Sequence, residues 1–202
     1  MEPNATRTRD APMDRNRIAK LEDALVDDSP IEVVSAIRGS GMQMPRFAWS
    51  PARIDLPDQV LRELLDLWWQ WPAAGDLPRA SASDAAMFGE VTDYLMILDV
   101  LEDGWDYRYR RYGRGIAQAA KFDMTGKRTS EITTASYIPI FFIAGYRAVI
   151  SRREALYTSH HPPSCVAADE WRRLILPVVD SSGAVVRMVA GNVPGNWQFP
   201  KI

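Results

Sequence analysis

The sequence predicts an α+β fold: a five-stranded antiparallel sheet with short crossover helices, preceded by an N-terminal helical extension. Three observations predict it. Residues 94–128 read as strand, tight turn, strand, short helix and corner; three further strand-like runs follow a long apolar helix; and a strongly amphipathic, tryptophan-bearing helix precedes them all. At 202 residues the chain has room for one domain of roughly 100–150 residues plus a substantial extension, enough to bury a core without covalent staples.

Residues 1–16 are rich in Arg, Asp, Asn, Pro and Thr with little to bury, so they are expected to be disordered or loosely attached. Ile18, Leu21, Ala24 and Leu25 then recur at helical spacing. Ser29-Pro30 supplies a cap and a proline at the first helical position for a second short helix through Ile31, Val34 and Ile37, which Gly39 and Gly41 stop. The stretch 42–57 has three prolines and no sustained period, and is expected to be irregular chain laid over a surface. Residues 58–71 form the strongest helix: Val60, Leu61, Leu64, Leu65, Leu67, Trp68 and Trp71 make a broad apolar stripe, and Pro72 ends it. Core is the expected place for Trp68, and dimer contact is the alternative for Trp69 and Trp71.

After a turn at Gly75-Asp76-Leu77-Pro78, Ser83 is placed to cap a short helix carrying Met87, Phe88 and Val91. Residues 94–100 are a nearly continuous apolar strand closed by Glu102-Asp103-Gly104, a tight-hairpin signal. In the next strand Trp105, Tyr107, Tyr109 and Arg111 are expected on one side and Asp106, Arg108, Arg110 and Tyr112 on the other, which suits a sheet covered on one face. Gly113 and Gly115 break that strand, residues 116–121 form a short helix, and Phe122-Asp123-Met124-Thr125-Gly126 turns the chain. Ser136 is the expected cap of a helix carrying Tyr137, Ile140, Phe141, Ala144, Tyr146 and Ile150. Strands over 155–160, 171–179 and 185–190 close the fold, the last two joined by the hairpin loop 180–183.

Composition excludes some classes. With 24 basic and 26 acidic residues and a net charge of −2, no field gathers nucleic acid or anionic membrane, and neither is expected as a partner. The chain's first residues have no apolar core of a secretory signal, and its longest apolar run, 137–146, is far short of the ~20 residues that span a bilayer. One cysteine, Cys165, permits no intrachain bridge. A cytoplasmic protein is the expectation.

The order of two strands, helical crossover and three strands resembles the PAS domain, in particular a bacterial branch of stand-alone PAS proteins with a tryptophan-bearing helix leading into the domain. The matching pieces are Leu67-Trp68-Trp69, Leu77-Pro78-Arg79, Leu98-Asp99-Val100, Tyr107-Arg108-Tyr109-Arg110 with Gly113, Asp123-Met124-Thr125-Gly126-Lys127-Arg128 and Leu174-Ile175-Leu176-Pro177, together covering roughly residues 60 to 198. The resemblance implies a small cavity enclosed between sheet and helices. It divides the chain into a loose N-terminus at 1–16, a helical extension at 17–76 and a PAS-like domain at 77–198.

Chemical motifs are sparse. His160, His161 and Cys165 are zinc-ligand types, but adjacent strand residues point to opposite faces, so no metal is expected. A haem-sensing PAS domain typically supplies a histidine from the helix corresponding to 137–153, which has none, and a flavin photosensor carries a reactive cysteine in an Asn-Cys-Arg-type motif, also absent. No cofactor is therefore expected. No Gly-x-Ser-x-Gly elbow, His-Glu-x-x-His helix or phosphate loop anchors a catalytic site, so no enzyme is expected. The run 107–112 has the aromatic and basic content of an RNA surface, but strand alternation splits it between two faces. The expectation is a sensory or signalling adaptor acting through protein–protein contacts as a homodimer or with a signalling partner. A small organic ligand would lie among Tyr109, Phe122, Phe141, Tyr146 and Trp171, with Trp68, Trp69 and Trp71 as interface residues. A ligand-free homodimeric scaffold is the alternative, and a nucleic-acid-binding protein or an unrecognised enzyme comes third.

Overall fold

The computed structural model describes residues 13–85, 88–135, 137–163 and 168–195. Helix α1 (Arg15–Val26) starts where the Asp14 carboxylate accepts the Arg17 backbone N–H at 3.0 Å, and α2 (Pro30–Ile37) follows the Ser29 cap and proline that the sequence supplies. Strand β1 (Arg46–Trp49), helix α3 (Gln59–Gln70), a two-residue hairpin of β2 (Ala73–Ala74) and β3 (Leu77–Pro78), and α4 (Ala80–Ala85) lead to β4 (Leu95–Leu101). A turn at Glu102–Gly104, all three residues at positive φ, reverses the chain into β5 (Asp106–Tyr112). Helices α5 (Arg114–Ala120) and α6 (Tyr137–Arg152) then cross over to β6 (Leu156–His160), β7 (Glu170–Val179) and β8 (Val185–Gly195). The predicted corner forms: Asp123 Oδ1 accepts the Thr125 N–H at 2.7 Å and Gly126 takes a φ of 80°. The expected cap Ser136 lies outside the described residues, as do Met87 and Cys165.

The antiparallel sheet runs β1-β6-β7-β8-β4-β5. The α+β class, antiparallel sheet and N-terminal helices are as the sequence predicts, with one strand more. That sixth strand, β1, comes from the stretch read as irregular. It forms because its four residues meet the edge of β6, pairing Phe47 with Thr158 and Trp49 with Leu156, while the Trp49 indole donates to the Leu25 carbonyl at 2.9 Å. Four residues next to a proline are too few to show a period.

Both faces of the sheet are covered, rather than the one expected. Leu174, Leu176, Val178, Val189, Leu95 and Ile97 form the outer face, packed by Leu61, Leu64, Leu65 and Trp68 of α3. The helix lies close because Gly191 has no side chain; a Cβ there would stand 2.6 Å from Leu61 Cδ2 and 3.0 Å from Leu64 Cδ2. The inner face carries Met96, Leu98, Tyr107, Tyr109, Ile175, Met188 and Ala190 under α5 and α6, and α1 packs on α6 in turn.

Register corrects one alternation. Leu98 pairs with Tyr109 but Ile97 with Arg111, so Arg110 is the extra residue of a β-bulge. The bulge resets the parity, bringing Tyr112 to the inner face with Tyr107 and Tyr109 and leaving Arg108, Arg110 and Arg111 exposed.

Candidate functional site

Between α6 and the β6-β7-β8 half of the sheet lies a cavity of about 30 Å³. Its position follows from pairing: Arg173 stands between Thr158 and Asn192 on the neighbouring strands, and His160 stands beside Trp171, all on the inner face. Phe122, Ile138, Phe142 and Trp171 give it apolar walls, and Tyr112, Thr134, His160, Arg173 and Asn192 give it polar ones. Helix α6 supplies its side from a sequence that is apolar on nearly every face, so it is buried between the sheet and α1.

The polar members are unusual for such a place. Arg173, His160 and Asn192 are 3%, 2% and 2% exposed, so each must find its partners inside the protein. The Arg173 guanidinium has two contacts at the long end of hydrogen bonding: Nε donates to Asn192 Oδ1 at 3.3 Å and Nη1 to the Tyr146 hydroxyl at 3.4 Å. Its flat face lies over the Phe142 ring, 3.8 Å from guanidinium carbon to ring centroid. Among the described residues no carboxylate pairs with it. The other deeply buried arginine on the sheet, Arg187, meets both Asp99 and Asp84 at 2.9 Å.

His160 packs edge-on to Phe141 and Phe142, with ring centroids 5.2 and 5.6 Å away, and among the described residues neither of its nitrogens has a hydrogen-bond partner. Burial, helped by the charge of Arg173 and the neighbouring His161, pushes its pKa well below the usual imidazole value, so the ring is neutral. A neutral imidazole carries one donor and one acceptor, and both are unspent here. Burial likewise raises the Tyr109 and Tyr112 phenols, which stay protonated as donors.

A cavity of this volume has room for a water or a guest of a few atoms. An open groove between α1 and α2 is far larger, about 770 Å³, but it is lined by mixed charges such as Asp14, Lys20, Asp23 and Glu32 that face solvent, and it concentrates no chemistry. The small cavity is the better candidate because a desolvated imidazole, His160, is left there without a partner among the described residues.

Of the five residues expected around a ligand, Phe122 and Trp171 line the cavity and Tyr146 reaches it through Arg173. Phe141 packs on His160, while Tyr109 sits deeper, 5.4 Å from the Tyr112 ring. The polar trio was not singled out as a site by sequence. Its signal was the parity of Trp171, Arg173 and Ile175, which puts a charge on a strand's buried side. Of the three residues named for an interface, Trp68 lies in the core, the place its helix stripe predicts, and is not available to a partner: it is 3% exposed and its indole donates to the Pro177 carbonyl at 3.0 Å. Trp71 is half-buried against Phe88, and Trp69 is 69% exposed.

No protein-family model matches the chain, and no curated protein does. A solved structure described as that of an RNA-binding light-oxygen-voltage receptor is similar, with a TM-score of 0.46 and 11% identity. The similarity covers 89% of this chain and 48% of that one, so this chain spans about half its length. Light-oxygen-voltage domains have a PAS-superfamily fold. The expectation that nucleic acid is excluded as a partner does not hold against this finding, because the similar structure is described as that of an RNA-binding receptor. A near-neutral net charge is a sum over the whole surface, and it does not rule out a local basic strip.

Proposed function

We propose that this chain is a non-enzymatic, PAS-like sensory or signalling module that holds a small ligand in the cavity beneath α6 and reports it through protein–protein contacts. The observation that carries this reading is the Arg173–His160 pair: among the described residues, a buried guanidinium without a carboxylate beside an imidazole with both nitrogens unpartnered. Natural cores pair such groups, and where they do not, the gap marks a place for something else.

A ligand acts only by favouring one arrangement over another. Helix α6 is the element able to couple the two. On one side it presents Phe142 and Tyr146 to Arg173; on the other, Arg147 is ion-paired to Glu22 of α1, Ser151 donates to the same carboxylate at 3.0 Å, and Arg152 donates to the Val26 carbonyl at 3.1 Å. In this reading residues 77–198 sense, residues 17–76 transmit, and the module works in the cytoplasm.

Native mass spectrometry of freshly purified protein tests it, with hydrogen exchange as the readout of transmission. The expected result is a bound mass released on denaturation, together with slower exchange in α6 and α1 when the cavity is filled. Unchanged exchange in both helices on filling overturns the reading. A second reading, the ligand-free homodimeric scaffold, draws on Trp69, an exposed indole stacked edge-on to buried Trp68 at 4.7 Å. A monomeric elution profile at all concentrations sinks it. Because the similar receptor is described as binding RNA, the same preparation is assayed for co-purified nucleic acid.

A further inference from the structure

We propose that the cavity beneath α6 is a receptor for one compact monovalent anion, of the size class of chloride, nitrate, formate or acetate, seated at the guanidinium edge of Arg173. This deepens, and rests on, the sensory reading above. The argument has three parts: charge, direction and size.

The site holds one uncompensated positive charge. Arg173 is 3% exposed with no carboxylate partner among the described residues, whereas buried Arg187 has two. A buried charge needs a counter-charge, and an anion entering from solvent supplies it where the fold does not. His160 is neutral and therefore adds a donor without adding charge. A monovalent guest leaves the site neutral; a divalent one would carry an unmatched charge into walls made by Phe122, Phe142 and Trp171.

The direction of approach is also set. Phe142 occupies the guanidinium face at 3.8 Å, Asn192 takes Nε, and Tyr146 holds Nη1 at only 3.4 Å. This leaves Nη2 and its shared edge with Nη1 for an in-plane acceptor, the geometry in which a guanidinium binds small oxyanions and halides well. His160 lines the same cavity with both nitrogens unspent, ready to donate to that guest. The free volume, about 30 Å³, admits an ion of a few atoms without moving a wall and leaves no room for a nucleotide, flavin or sugar phosphate.

The test uses the full chain in gluconate buffer at fixed ionic strength, titrated separately with chloride, nitrate, formate and acetate, with sulfate as the divalent comparison, and read by calorimetry and thermal melting. Saturable one-site binding by at least one monovalent anion is expected, raising the melting temperature by about 5–10 °C at 100 times Kd, with no saturable response to sulfate. Arg173→Met should lose at least tenfold in anion affinity, yet melt in gluconate no lower than the unsubstituted chain, because it removes an unpaired charge. Asn192→Asp is the second variant, since it places a carboxylate where Asn192 Oδ1 already meets Nε; it should melt higher in gluconate and cease to respond to anions. The proposal is overturned if no monovalent anion binds, or if Asn192→Asp keeps the full response. If anions fail while native mass spectrometry finds an organic adduct, the anion inference falls and the sensory reading stands; if both are negative, both fall.

Discussion

The two faces of the sheet use the same residue type in opposite ways. On the outer face Arg187, 8% exposed, is enclosed by acceptors: Asp99, Asp84, the Ser83 hydroxyl and the Ala80 carbonyl, all within 3.1 Å. One strand away on the inner face, Arg173 is buried at least as deeply and has an amide and a phenol, both beyond 3.2 Å. The outer arginine is consumed by architecture. The inner one is left with unspent capacity, and the difference separates a structural charge from a receptive one.

Four measurements break or sharpen this contrast. The largest effect is expected for Trp68→Ala, which empties the outer face and orphans the Pro177 carbonyl: a loss of ~3–5 kcal/mol in urea unfolding, independent of any anion. Next, Asp99→Ala removes one of the two carboxylates on Arg187, and about 2–3 kcal/mol should go, because breaking a buried pair strands its charge. If this substitution costs nothing, the outer arginine is no better compensated than the inner one and the contrast collapses. Smaller still is a pH effect from the inner face. Because burial depresses the His160 pKa, the unfolded chain binds the extra proton as pH falls below ~6.5, so stability is full above that value and falls by up to ~1.4 kcal/mol per pH unit toward the folded value. His160→Phe should flatten the slope between pH 7 and 5.5; an equal slope in the variant removes His160 as its source. The smallest change is expected for Trp69→Gln, about 0.5–1 kcal/mol at an exposed position, and sizing of that variant asks whether the outer face has a partner at all.

Most of the architecture was legible because its elements carry their own periods. The helices α1, α3 and α6 and the strands β4, β6 and β7 are apolar patterns long enough to read, and Ser29-Pro30 and Gly126 act where their chemistry demands. What escaped depended on pairing between distant residues. β1 is defined by the β6 edge it meets, and β8 continues through Gly191 and Pro194 because β7 lies alongside. The parity of Tyr112 is reset by a single extra residue, Arg110. The site suffered most. Its aromatic walls follow from composition, but its chemistry exists only where β6, β7 and β8 align His160, Arg173 and Asn192. In the sequence Arg173 stands next to Arg172, a partly exposed residue paired with Asp58, and the two read as one solvated dipeptide.

The pairing of β1 with β6 has a consequence for how the chain is made. Arg46–Trp49 leaves the ribosome more than a hundred residues before Leu156–Ser159, its partner in the sheet, and α1 waits longer still for α6. Until then Ile18, Leu21, Leu25, Phe47 and Trp49 lack the α6 and β6 surfaces that complete their burial. Such non-local closure is slow and comes late. Residues 15–49 are therefore among the last to dock, and the growing chain passes through a stage in which these apolar residues are available to chaperones or to other nascent chains.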